Sequence, residues 1–196
     1  MIKKTSKNDT IGREKLENIL KEAKIKNIKI AKLIDYNKKN IWILTKFEKF
    51  ETLYEIYYKN KKKFEKIILN IYSKFFPKLL KKYKFNKKIP GEFSLQDIGY
   101  YKGKIYFYDL EANKELIKQY VDLYAKLCKY YFRALKKKRK KDELILKRLI
   151  DKIKIISKSL NKRNLLNKIL IKRFETKVFN EFKDKDYNKL IEKIKF

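Results

Sequence analysis

One stretch of this chain, Ile89 to Glu111, interrupts a mostly helical pattern: IPGEFSLQDIGYYKGKIYFYDLE. Pro90 and Gly91 open it as a loop. Ile98 to Tyr101 and Lys104 to Tyr108 then read as two short strands joined across Lys102-Gly103, a pair suited to a tight turn. The chain must therefore fit a small sheet against helices on both sides. Four carboxylates mark the stretch: Glu92 in the loop, Asp97 at the loop end, Asp109 at the end of the second strand and Glu111 two residues on.

Upstream, residues 1 to 12 are polar and read as a frayed end. Leu16, Ile19, Leu20 and Ala23 recur at helical spacing and predict a short helix over residues 13 to 25. Ile28 to Tyr36 and Ile41 to Phe47 are rich in β-formers and are split by Asn37-Lys38-Lys39-Asn40, a turn sequence. Ile41, Ile43, Thr45 and Phe47 alternate with Trp42 and Leu44, as a hairpin requires. Phe50 to Tyr58 starts a helix. A longer one follows with Phe64, Ile67, Ile68, Ile71 and Phe75 on one stripe, until Pro77 bends or restarts it.

Lys88 to Leu95 reads as loop. From Ala112 the pattern is helix almost to the end. Leu116, Tyr120, Leu123, Leu127, Tyr131 and Leu135 give the first of these helices a wide core stripe, and Lys136 to Lys141 (KKKRKK) reads as its solvated end. Two or more helices fill residues 142 to 196, with breaks near Asn161 to Asn164 and Phe179 to Asp186. The order is helix, hairpin, helices, carboxylate loop with hairpin, helices. That is an α+β layout with a small sheet at one end of a helical bulk.

Charge bears on partners. The 196 residues carry 55 Lys+Arg against 23 Asp+Glu and no His, a net charge of +32. Such a surplus favours phosphates, whether in nucleic acid, anionic lipid or a phosphorylated saccharide. A second origin competes: Lys, Ile, Tyr, Asn and Phe all have AT-rich codons, and a low-GC genome yields the same surface without selection for binding. Hydrophobic residues make up 44%, which excludes a disordered polyelectrolyte. The lone Cys128 excludes an internal disulfide and fits a reducing compartment, as an inert thiol on an apolar helix face. No apolar run approaches the ~20 residues of a membrane span. The expectation is a cytoplasmic protein able to touch the inner membrane surface.

The order of elements and the loop motif resemble the aminoglycoside phosphotransferase and choline kinase family, and the small lipopolysaccharide-core sugar kinases, which share a protein-kinase-like fold. Their catalytic loop reads His-Gly-Asp, four residues, then Asn, and a strand pair follows that ends in an Ile-Asp-hydrophobic-Glu type of segment. Here Pro90-Gly91-Glu92 is followed by Phe93 to Gln96 and then Asp97; the strand ends Phe107-Tyr108-Asp109-Leu110-Glu111. Asp97 and Asp109 lie twelve residues apart, as do that family's two metal ligands. Upstream, IAKLIDYNKKNIWILTKFEKFETLYEIY resembles its last two nucleotide-lobe strands, hinge and first large-lobe helix. The resemblance covers about residues 13 to 135.

The resemblance implies a protein-kinase-like fold with a reduced N-terminal lobe of short antiparallel strands and a mainly helical C-terminal lobe. It implies a nucleotide-lobe remnant at residues 1 to 49, a helical lobe with the catalytic-loop hairpin at 50 to 141, and a basic helical extension at 142 to 196. ATP and Mg²⁺ would be the cofactors, and a hydroxyl of a small-molecule or saccharide acceptor the target. Glu92 would stand at the catalytic Asp position, Asp97 and Asp109 would bind the nucleotide's metal, and Glu111 would lie near the same ion. Phosphoryl transfer depends on positioning and charge neutralisation, and Mg²⁺ takes hard oxygen donors.

Three departures stand out. Pro90 replaces a loop-bracing His, Glu92 is one methylene longer than Asp, and no G-x-G-x-x-G occurs. A pseudokinase is therefore equally an expectation.

Plainer roles stand beside these. Asp109 also suits a helix cap, and Glu92 and Asp97 suit loop acids paired with lysines. Tyr100, Tyr101, Tyr106 and Tyr108 could stack nucleic-acid bases, although Tyr106 and Tyr108 share a face that suits the core. Trp42 suits the core or a nucleotide-pocket wall. The alternatives to a kinase are a basic helical protein that binds nucleic acid or an anionic membrane surface, and a non-catalytic scaffold.

Overall fold

The computed structural model describes residues 2–5, 7–30, 32–37, 42–46, 51–107, 110, 113–175 and 187–196, with the backbone alone at 2–5, 7–10, 32–37, 42–46 and 187. It is an α+β protein. Strands β1 (Ile2–Thr5), β3 (Lys32–Asn37) and β4 (Trp42–Lys46) form an antiparallel sheet with β4 in the middle. The β3–β4 hairpin closes on the pair Asn37↔Trp42. The side chain of Trp42, and Tyr108, Asp109, Glu111 and residues 179–186, lie outside the described residues.

Helix α1 (Lys7–Glu22) lies between β1 and β2 (Ile28–Ile30) in the chain. It begins earlier than the apolar spacing predicts, because its first turns carry polar residues that announce no buried face. Its end is capped by Lys24, which takes the left-handed conformation (φ 53°), while Ile25 N–H donates to the Leu20 carbonyl at 2.9 Å. Leu16, Ile19 and Leu20 are buried, as the spacing predicts.

A four-stranded sheet runs β2, β8 (Lys104–Phe107), β7 (Ile98–Tyr101), β5 (Glu51–Thr52), with β2 parallel to β8 and the other pairs antiparallel. Thr52 ends β5 and caps α2 (Leu53–Lys59): its hydroxyl accepts from Glu55 N–H at 3.1 Å, and the Glu55 carboxylate accepts from Thr52 N–H at 2.8 Å. Asn60 then caps α3 (Lys61–Asn70), accepting from Lys63 N–H.

Pro77 does not break the helix. A π-helical turn, Ile71–Phe75, precedes α4 (Phe76–Lys82), and Phe76 N–H donates to the Ile71 carbonyl five residues back. The wider turn seats Pro77 at the first positions of α4, where a missing N–H costs little.

Two expectations are corrected beside the carboxylate loop. Lys88–Pro90 is strand β6 rather than loop, and it pairs antiparallel with β9 (Asn113–Glu115), where helix was expected. Asn, Lys and Glu are poor strand formers; their backbone is extended because β6 lies beside it. Helix α5 (Leu116–Lys136) follows, its leading N–H groups donating to backbone carbonyls: Leu116 to Lys87 at 2.8 Å and Ile117 to Phe85 at 3.1 Å. The KKKRKK run spans the end of α5, a turn at residues 137–139 in which Lys138 takes φ 52°, and the start of α6 (Lys140–Lys158).

Helix α5 is buried on nearly every side and forms the axis of the molecule. Around it pack α6, α7 (Arg163–Phe174) and α8 (Tyr187–Ile194), through Leu146, Leu149, Ile153, Leu170, Phe174 and Ile194. These side chains belong to the same apolar cluster as Leu16, Phe64 and Phe107, so residues 142 to 196 contribute to one core with the rest. Each large apolar side chain buried there stabilises by about 1.5–3 kcal/mol. Cys128 is fully buried, and burial pushes its thiol well above the ordinary range.

Several polar groups inside the core are paired across elements. Tyr72 hydroxyl donates to the Tyr120 carbonyl at 2.9 Å, Tyr120 hydroxyl meets Ser157 Oγ at 2.6 Å, and Tyr124 hydroxyl donates to the Ile194 carbonyl at 2.7 Å. Glu65 on α3 accepts from Arg148 and Lys152 on α6. Asp142 pairs with Lys61 at 2.9 Å.

Candidate functional site

The loop from Gly91 to Asp97 is held from below by aromatic stacking and from the side by backbone bonds. Phe93 turns into the core and stacks on Phe107 of β8, with ring centroids 4.5 Å apart and planes 15° from parallel; Phe75 and Phe76 flank it. Gly91 takes φ 101°, a region that side chains disfavour, so this turn needs glycine. Ser94 N–H donates to the Glu92 carbonyl at 2.8 Å, and Ser94 Oγ accepts from Gln96 N–H at 3.2 Å. The Leu95 carbonyl accepts from Tyr54 N–H at 2.9 Å, which ties the loop to the start of α2. On the other side, Gln119 of α5 donates to the Ile89 carbonyl at 2.9 Å, just ahead of the turn.

Glu92 leaves this scaffold half-exposed and meets cations. Lys114 Nζ of β9 lies 2.8 Å from its carboxylate and Lys126 Nζ of α5 lies 3.9 Å away. Lys114 also reaches Asp122 at 3.5 Å, and Asp122 pairs with Arg173 Nε of α7 at 3.0 Å. Burial would raise the Glu92 carboxyl, but the hydrogen bond and charge of Lys114, with Lys126 and Arg173, outweigh it and hold the group below the ordinary carboxylate range. Lys126 is also shifted downward, which in its case disfavours the charged form. Burial lowers its pKa, against the opposing pull of Glu92, Asp97 and Asp122.

Glu92 and Asp97 are thus brought to one neighbourhood, and both act on the Lys126 ammonium. Asp109 and Glu111 fall outside the described residues, although their neighbour Leu110 is buried against α1. Among the described residues, no group of three or more Asp, Glu, Cys or His side chains is gathered closely enough to hold a metal ion. The β7 tyrosines carry lysines: Lys63 lies over the Tyr100 ring at 5.0 Å and Lys102 over Tyr101 at 5.2 Å. Tyr106 is buried, as its face predicts.

Sequence reasoning missed Lys114, Asp122, Lys126 and Arg173. Two signals could have found part of this set. Asp122 is a carboxylate inside an apolar helix stripe, and Lys126, Lys129, Tyr130 and Arg133 recur at three-and-four spacing along one edge of the same helix. Lys114 and Arg173 reach the site only through tertiary folding and carry no local mark.

No helix among the described residues is long and apolar enough to cross a membrane. No protein-family model matches the chain, and a search of curated proteins finds no match.

Proposed function

We propose that the chain is a kinase-like phosphotransferase homologue with a protein-kinase-like fold. In this reading ATP–Mg²⁺ is the phosphoryl donor and a hydroxyl of a small-molecule or saccharide acceptor is the target; a pseudokinase that keeps nucleotide binding is the weakened form of the same reading. One observation carries it. Strands β6 and β9 pair with Ile89↔Lys114 and Pro90↔Asn113, so the backbone entering the Glu92 loop runs beside the backbone leaving the Asp109–Glu111 segment. The pairing sets Pro90, two residues before Glu92, beside Asn113, two residues after Glu111, which supports a phosphate-donor site shared by the two acidic segments. The packing of Gly12 on Leu110 adds a helix over the same segment.

The roles follow the resemblance. Asp97 and Asp109 are the proposed ligands of Mg²⁺, and Glu111 flanks them. Glu92 is the proposed base toward the acceptor hydroxyl. It is held ionised by Lys114, so it can take a proton only once that ammonium turns to another partner. Such a base works weakly unless the acceptor or nucleotide draws Lys114 away.

The test is a thermal-shift titration with ATP, with and without Mg²⁺, on the wild type and on Asp109→Ala. Ligand binding to the native state raises apparent stability. A Mg²⁺-dependent rise that Asp109→Ala removes supports the reading. Absence of any nucleotide effect in the wild type, or an unchanged effect in the variant, defeats it. Binding without turnover identifies the pseudokinase form.

A further inference from the structure

We infer that the cleft between the Ser94–Gln96 turn and the Lys126, Lys129, Tyr130 and Arg133 edge of α5, closed by Arg173 of α7, is a binding site for a phosphate monoester. Its volume is about 160 Å³. That suits a single phosphoryl group and its ester oxygen, and is small beside the ~300–1,000 Å³ of pockets that enclose whole ligands.

Four cationic side chains from two helices line it, and all are half-buried rather than splayed on the surface. Around it, among the described residues, Lys114, Lys126, Lys129, Arg133 and Arg173 outnumber the carboxylates Glu92, Asp97 and Asp122. The ion pair from Arg173 Nε to Asp122 fixes the plane of that guanidinium before any ligand arrives.

Codon bias explains scattered lysines but not this placement. The chain has only six arginines, and two of them face one cleft. Arginine matches phosphate geometry through paired N–H donors, which lysine cannot do. Burial disfavours the charge on Lys126, and a bound dianion would offset that cost. The cleft opens beside the Glu92 loop. Its phosphate would therefore sit on the acceptor, making that acceptor an already phosphorylated molecule; this last step rests on the phosphotransferase reading.

The experiment uses inorganic phosphate and glycerol phosphate as probes, with glycerol as the neutral control, at constant ionic strength and without nucleotide. Saturable binding of both anions, with no effect of glycerol, is expected by calorimetry or thermal shift. Lys129→Gln combined with Arg133→Gln should weaken it about tenfold or more. Lys66→Gln, on an exposed face of α3, should leave it unchanged. If the double variant fails to fold, Lys129→Gln alone serves, with a smaller loss in the same direction. Unsaturable binding, wild-type affinity in the cleft variants, or equal loss in Lys66→Gln overturns the site. Phosphate binding without any ATP–Mg²⁺ effect leaves the cleft standing and removes only its link to phosphotransfer.

Discussion

Gly12 on α1 lies so close to Leu110 that a Cβ added to it would sit 2.2 Å from the Leu110 carbonyl oxygen. Backbone meets backbone there, and neither side can rotate away. Gly12→Ala would gain about 1 kcal/mol of helix propensity. The overlap should still win, with a net loss of about 1–3 kcal/mol. Urea unfolding measures it, and a stabilised variant would show that α1 and Leu110 do not touch.

Ser157 and Tyr120 should respond unequally to removal of their shared bond. Ser157 Oγ donates to the Ile153 carbonyl at 2.7 Å, so Tyr120 hydroxyl is the donor in their 2.6 Å contact. Ser157→Ala strands a buried hydroxyl and should cost about 1–3 kcal/mol. Tyr120→Phe leaves Ser157 still paired and should cost less. Equal losses in chemical denaturation would contradict this donor assignment.

Glu65 gives the fold a pH dependence on the acid side. Burial pushes its carboxyl upward, but the hydrogen bonds and charges of Arg148 and Lys152 outweigh that and hold it below the ordinary 4.5. The folded value lies under the unfolded one. Its contribution is therefore complete above the unfolded value and is lost as pH falls through the folded one. Glu65→Gln should lower stability at neutral pH by about 1 kcal/mol, since both cations are half-exposed. It should also flatten the acid limb of the stability profile; an unaltered limb would show that other carboxylates set it.

Lys114 should govern the ionisation of Glu92. Lys114→Met removes the 2.8 Å partner and leaves Lys126 at 3.9 Å, so the Glu92 carboxyl should rise toward or beyond its ordinary value. Carbon-detected NMR titration of the glutamate carboxyls reads this directly. A Glu92 signal that titrates as in the wild type would show that Lys114 does not hold it.

The regular elements were legible because their residues repeat with burial. Leu16, Ile19 and Leu20 announce α1, and Phe64, Ile67, Ile68, Ile71 and Phe75 announce the helical run through the π turn. The Ile98–Phe107 hairpin was equally clear from its β-formers around Lys102-Gly103. Strand β9 was not. Asn113-Lys114-Glu115 is polar and carries no alternation, and only its pairing with Lys88–Pro90 makes it extended. At the site the loop acids Glu92 and Asp97 could be read from their setting, whereas the cations Lys114 and Arg173 could not. Lys114 is one lysine among many until β9 delivers it to Glu92, and Arg173 arrives from a helix more than seventy residues downstream.

The π turn at Ile71–Phe75 has a consequence for any attempt to straighten this helix. It accommodates one residue more than regular winding would, and by doing so aims Phe75 and Phe76 inward together, where both rings touch Phe93. Winding the same residues as a regular α-helix, with none deleted, would yield a more ideal rod but swing everything beyond it by about a hundred degrees. Phe76 and Leu79 would then face water, and the floor beneath the Glu92 loop would go with them. The irregular winding is what sets the depth of that floor.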